Sequence, residues 1–353
     1  MRIVLAFIAG SMLLCAADAG KDWGVEKRSW IDPVTGVRVW EMTANKGDAS
    51  NLYFHFPNLT RDGKYVLFTS NRSGSNQIFR MTLSEGRILQ LTDAAAIGGL
   101  VPDPTGAHRI YYIRGSEVVV LDVESLAERV VGRVEGASAP TISGDGKWLA
   151  LPRGTEIGRL NTDTGEYKPV TRVGFRIGHV QHHPKQDIIF FVWETGGYAP
   201  QRSWLVNADG SGLRPFYQRV DPKDWFTPLK EWLTHEAWVM GTGEMTMIID
   251  KVGIVVVNTD GTSRLVREGR YWHAHARPDG KFLVADDFDG QLWLIETSTG
   301  NARLVATGLR VPKAPHLHPA FDWDGRYVVF NLTKTHKAIG VIDLNDLPAQ
   351  GWR

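Results

Sequence analysis

Apolar positions fall into short runs that alternate or stay continuous over four to six residues, broken by turns that carry Asp-Gly or a stand-in. The first such phrase runs from Asn58 through the turn Asp62-Gly63 to the strand ending at Phe68. Later copies turn at Pro104 to Gly106, Asp145-Gly146, Pro184 to Gln186, Thr242-Gly243, Asp279-Gly280 and Asp324-Gly325. Counting Gln186 in place of the fourth glycine, the turns are spaced by 43, 40, 40, 57, 37 and 45 residues. Period-two runs rich in Val, Ile, Tyr and Trp, closed by Asp-Gly and Thr-Gly turns, read as strands in hairpins. Four short strands per unit of about 40–45 residues is the pattern of a β-propeller blade, so seven copies predict an all-β, seven-bladed β-propeller.

The stretch from Lys27 to Thr43, around Pro33 to Gly36, predicts one more strand pair. Placed in the last blade, these N-terminal strands close the ring and leave no free sheet edge. Pro222 to Trp232, inside the longest interval, reads as a loop or short helix beside the pore.

Composition adds limits. The 353 residues are 43% hydrophobic and 22% charged, enough for a packed core. With 40 Lys+Arg against 39 Asp+Glu there is no basic surplus to neutralise phosphates, so no nucleic-acid partner is expected. Met1 and Arg2, the apolar run Ile3 to Cys15 and the ending Ala17-Asp18-Ala19 form the pattern of a signal peptide over 1–19. The run is shorter than the ~20 residues that span a bilayer. The expectation is a periplasmic or secreted monomer, a single propeller over 20–353 with no membrane span. Cys15 is the single cysteine, so a chain cleaved after Ala19 has no thiolate ligand and no disulfide.

The histidines carry the candidate chemistry. His55, His179, His235, His273, His316 and His318 each lie five to eight residues before the turn of their copy. In a propeller that segment is the innermost strand, so these imidazoles are expected at one level of the central channel. A single histidine there is ordinarily structural. His316 and His318, two apart, fit one face of a strand and two ligands of one metal, and His235 completes a three-histidine site open to substrate or water. A metal-free polar pocket is the competing reading. No Gly-x-Ser-x-Gly elbow and no His-x-x-x-His zinc helix is present to support a serine hydrolase or a zincin.

At these residues the chain resembles the oligogalacturonate lyase family, along almost the whole mature sequence. The resemblance is carried by Pro33 to Gly36, Asp62-Gly63-Lys64, Gly178-His179, Trp204 to Gly210, Thr234 to Trp238, and His316 through Pro319 to Phe321. It implies β-elimination at a uronic-acid oligosaccharide, with His179 as the base and a divalent metal, manganese, on His235, His316 and His318. The family's glutamine ligand falls at Lys313, which is a poor ligand when charged. His273 and His275 are the nearest replacements, and Lys313, His273, His275 and Trp238 are candidate substrate contacts. The family's arginine aligns near Glu156, between Arg153 and Arg159, with Arg176 a further candidate. Trp238, Trp272 and Trp225 are candidates for stacking on sugar faces. The chemistry suits these groups: the proton at C5 is weakly acidic beside a carboxylate, so its removal wants a cation at the carboxylate and a neutral imidazole as base. The alternative is a non-catalytic exported propeller of TolB type that binds glycan or protein partners.

Overall fold

A computed structural model describes residues 18–44, 47–218, 232–334 and 336–349. Residues 1–17 of the signal-peptide reading over 1–19, and most of the Pro222 to Trp232 loop, including Trp225, lie outside the described residues. Seven antiparallel sheets follow one another along the chain. Blades two to six have four strands each, in sequence order from the channel outward. Among the described residues the only helix is a single 3-10 turn, Leu344–Asp346, and no helix is long and apolar enough to cross a membrane.

The last blade is built from both ends of the chain. Ala320–Phe321, Tyr327–Leu332 and Ala338–Asp343 are joined by Arg38–Glu41 and Arg28–Ile31, with Trp40 opposite Val341 and Glu41 opposite Gly340. The N-terminal strands therefore close the ring as the sequence predicts. A further strand, Asp22–Val25, pairs with Arg87–Gln90 as a fifth, outermost strand of blade one.

Turn chemistry explains the repeat. Gly63, Gly146, Gly243, Gly280 and Gly325 all adopt φ between 72° and 80°, a region open to glycine and strained for other residues. In the fourth copy, which lacks the glycine and the Asp, His183 substitutes: its Nδ1 accepts from the amides of Lys185 (3.0 Å) and Gln186 (2.9 Å). His183 is thus a turn-forming residue.

Each apolar cluster draws side chains from two neighbouring sheets. Phe190, Val192 and Leu205 of blade four, for example, pack on Trp238, Met245, Met247 and Val255 of blade five. Separate sheets share few backbone hydrogen bonds, so burial of these faces is what holds the ring together. The inner strands Ile177–His182, Leu233–Trp238 and Tyr271–Ala276 touch in succession around the channel. Their side chains meet at one place, and that place is the site.

Candidate active site

The inner strands of blades two, four, five and six each carry one residue more than their partner strand. The register shifts lie between Ile97 and Leu100, Gly178 and Gln181, Thr234 and Ala237, and Tyr271 and His273. A bulge of this kind breaks the alternation of side chains and re-aims one of them. In blade two the extra positions are Gly98 and Gly99; in blades four and five they are histidines held in left-handed conformation, His179 at φ 45° and His235 at φ 55°. His318 (φ 48°) and Tyr53 (φ 88°) share this geometry. Such conformations cost a non-glycine residue on the order of 1–3 kcal/mol and cluster where function requires a particular aim.

Three imidazoles form a potential metal centre. Ligand nitrogens of His273, His316 and His318 all lie within 4.8 Å of one another. Two nitrogens bound to one ion at ~2.1 Å stand at most ~4.2 Å apart, so a modest inward shift seats a cation. His273 is already oriented for ligation. Its Nδ1 is 2.9 Å from Asp286 Oδ1, and the Nε2 left over is buried without a partner among the described residues. A carboxylate behind a ligating histidine is the usual arrangement for fixing ring and tautomer. His316 packs on the Trp272 ring (centroids 3.9 Å apart). His316 and His318 lie on an irregular segment rather than a strand, so they converge for a different reason than period-two spacing. That segment is braced by Asn331, whose amide nitrogen reaches His316 O (3.3 Å), and by Asn51, which donates to His318 O (2.6 Å).

Charge favours ligation. Burial drives His273 and His316 below the ordinary imidazole value, and burial with the neighbouring His273 lowers His318 to about 2. All three are therefore neutral, which is the ligating form. Burial raises the Asp286 carboxyl to about 7. The donor set fits a divalent cation.

Beside this centre stands a second group. His179 Nδ1 is 2.8 Å from Glu236 Oε2, and Glu236 Oε1 accepts from Arg202 Nε at 2.6 Å. Burial alone would raise the Glu236 carboxyl; the Arg202 charge and the bond from His179 outweigh it and hold the group far below its ordinary range. Arg202 is itself buried, and its Nη1 has no partner among the described residues. With Nδ1 turned to a carboxylate, His179 leaves Nε2 free, 4.0 Å from Glu194. Glu194 fits over Gly178, where a Cβ would sit 2.3 Å from its Oε2. A cleft of about 390 Å³ is lined by Tyr53, His55, Arg176, Gly178, His179 and Glu194, among others. That volume is in the range of small-ligand sites.

The structure places the expected residues unevenly. His179, His273, His316 and His318 meet at the site. His235 lies outside the close trio, its ring 4.1 Å from His273 and its Nδ1 buried without a partner among the described residues. Arg176 lines the cleft, whereas Arg153 bonds within blade three, to Glu135 O (2.8 Å) and the Tyr167 hydroxyl (3.3 Å). His275 is buried behind the centre and accepts from the Phe321 amide (3.1 Å). Trp238 is core between blades four and five, edge-on to His183. Lys313 is exposed, in left-handed conformation, three residues before His316. Glu236, Arg202, Asp286, Glu194 and Tyr53 belong to the site although the sequence pattern does not single them out. Glu236 lies within the phrase Thr234 to Trp238, but strand alternation puts it opposite His235, and only the bulge brings it to His179.

No protein-family model matches the chain, and no curated protein does. Among solved structures the chain is similar to an oligogalacturonate lyase in complex with manganese, at a TM-score of 0.78 and 21% identity over 94% of this chain and 98% of that one. It is also similar to an oligogalacturonate lyase from Vibrio parahaemolyticus, at a TM-score of 0.79 and 20% identity over 92% and 98%. At this identity the likeness establishes the seven-bladed fold.

Proposed function

We propose that the chain is a lyase that cleaves oligouronides, of oligogalacturonate type, by β-elimination, with a histidine base and a divalent cation. The observation that carries this reading is the convergence of His273, His316 and His318 from blades six and seven beside His179, which is backed by Glu236 and Arg202. A passive binding platform gives no reason to aim imidazoles from neighbouring blades at one point.

In this reading His273, His316 and His318 hold the cation, with Asp286 fixing the His273 ring. A divalent ion there supplies a Lewis acid for the substrate carboxylate, where charge develops as the C5 proton leaves. The solved neighbour is a complex with manganese; imidazole sets also accept zinc, copper, iron and nickel. His179 Nε2 accepts the C5 proton. The imidazolium that forms keeps its Nδ1–H on Glu236, which stays ionised because Arg202 neutralises it. Arg176, which lines the cleft with His179, is the arginine placed to meet the substrate carboxylate, whereas Arg153 is bonded elsewhere and buried Arg202 serves Glu236.

A second base assignment has its own observation. His235 is outside the trio, and its unpartnered Nδ1 faces no competing acceptor among the described residues. His179→Ala and His235→Ala separate the two, because the variant that lost the base keeps its metal and loses turnover.

The signal-peptide pattern of residues 1–19 supports action in the periplasm or outside the cell, on oligosaccharides met there. Incubating purified protein and manganese with saturated and unsaturated oligogalacturonides tests the reaction. The expected product has a new C4–C5 double bond, seen by ultraviolet absorbance and by a mass with no water added. Products carrying added water, or no product from any uronide, would end the lyase reading.

A further inference from the structure

The lyase reading leaves the departing C4 oxygen without a proton donor, and one residue of the cleft is built to be it. Tyr53 lies between the two halves of the site: its ring centroid is 4.5 Å from that of His318 and 6.1 Å from that of His179. It lines the same cleft as His179, Arg176 and Glu194. Its backbone is held at φ 88°, which is costly for a bulky side chain. Asn58 imposes that turn, accepting from the Leu52 amide (2.5 Å) and donating to Tyr53 O (3.3 Å) and Phe56 O (3.2 Å). The hydroxyl has no hydrogen-bond partner among the described residues. A strained loop that presents an unpartnered phenol to a cleft has no evident structural purpose.

We propose that Tyr53 is the general acid of the elimination, which donates its phenolic proton to the C4 oxygen of the leaving sugar. The inference rests on the lyase reading. In the step, the C5–H bond breaks and its proton passes to the histidine base. The electron pair left behind forms the C4–C5 double bond, and the C4–O bond breaks with its pair on oxygen. That oxygen takes the proton from Tyr53 Oη. The tyrosinate is restored by a proton from the imidazolium or from water, so atoms and charge balance with no other reactant.

Other groups in the cleft are poorer donors. Ser138 and Thr141 also line it, but aliphatic hydroxyls are much weaker acids than a phenol. Glu194 stands on the side of the base, its Oε2 4.0 Å from His179 Nε2. A phenol that lines the cleft beside the base can protonate the leaving oxygen as charge builds on it, which is what general acid catalysis requires.

The test compares leaving groups. Tyr53→Phe is assayed with manganese on an oligogalacturonide and on a uronide whose C4 oxygen carries 4-nitrophenyl, a group that departs without a proton. The expected result is a loss of about 10²–10⁴-fold in kcat on the oligosaccharide and little loss on the aryl substrate. Equal losses on both substrates, or no loss on either, would overturn the inference while the active wild type preserves the lyase reading. Wild-type protein inert toward both would overturn that reading and the inference with it. Should Tyr53→Phe fail to fold, 3,5-difluorotyrosine at position 53 keeps shape and lowers the phenol's pKa. The alkaline limb of kcat then moves to lower pH, and an unmoved limb would contradict the role.

Discussion

His179 on the inner strand of blade four and Glu236 on that of blade five meet at 2.8 Å, imidazole Nδ1 to carboxylate Oε2. One contact thereby joins two blades, fixes a tautomer and leaves Nε2 as the atom that faces the cleft. Behind it, the bond from Arg202 keeps the carboxylate charged although it is fully buried.

Removing the charge without changing the shape separates catalysis from folding. Glu236→Gln is expected to lower kcat by about 10²–10⁴-fold, because the amide no longer holds the Nδ1–H tautomer or stabilises the imidazolium. Metal content should be unchanged by elemental analysis.

Removing the partner altogether should unfold the protein more easily. Glu236→Ala leaves Arg202 buried and unpaired, and guanidinium denaturation is expected to show a loss of about 3–5 kcal/mol. The double variant Glu236→Leu with Arg202→Met should recover much of that stability and none of the activity.

The metal centre predicts a ligand-dependent melting temperature. Wild-type protein with manganese at about 100 times its Kd gains about 2.7 kcal/mol. His316→Ala is expected to abolish the manganese-induced rise in a thermal scan. Asp286→Asn, which leaves the ligand nitrogens in place but loosens the His273 ring, should weaken binding about 10–100-fold by calorimetry.

The fold was legible because it repeats. Each blade announces itself through a turn whose glycine needs positive φ, as at Gly63 and Gly280, and through strands with one apolar face. Even the irregular fourth turn kept its spacing, because His183 caps it as an Asp would. The level of the histidines was legible for the same reason, since each lies five to eight residues before its turn. The pairings within the site were not. Period two places His235 and Glu236 on opposite faces, and a one-residue bulge between Thr234 and Ala237 undoes that rule. Nothing in the local sequence of Arg202 or Asp286 reveals what each meets across the fold: Arg202 ends on Glu236 of the next blade, and Asp286 ends behind His273 on the neighbouring strand. The place of His273 in the trio depends likewise on blade geometry, which spacing alone does not supply.

Acid should destabilise the propeller in a way that names its buried imidazoles. Burial lowers His182 from 6.5 to about 4. Above pH 6.5 it is neutral both folded and unfolded and contributes nothing to the pH dependence. Between pH 6.5 and about 4 the unfolded chain takes up a proton that the folded chain refuses, so stability falls by about 1.4 kcal/mol per pH unit for this one group. His182→Leu is expected to reduce the slope of unfolding free energy against pH by that amount in this window, and an unchanged slope would show that His182 is not held neutral.

Imidazoles of neighbouring blades are held here to bind one divalent cation beside a histidine base, and anomalous diffraction at the manganese edge tests that most directly. Crystals grown with manganese should show one strong peak bounded by His273, His316 and His318, about 2.0–2.3 Å from a nitrogen of each, and no such peak in His316→Ala. A wild-type crystal with no anomalous density among those three rings, or with the ion bound elsewhere on the propeller, would contradict it.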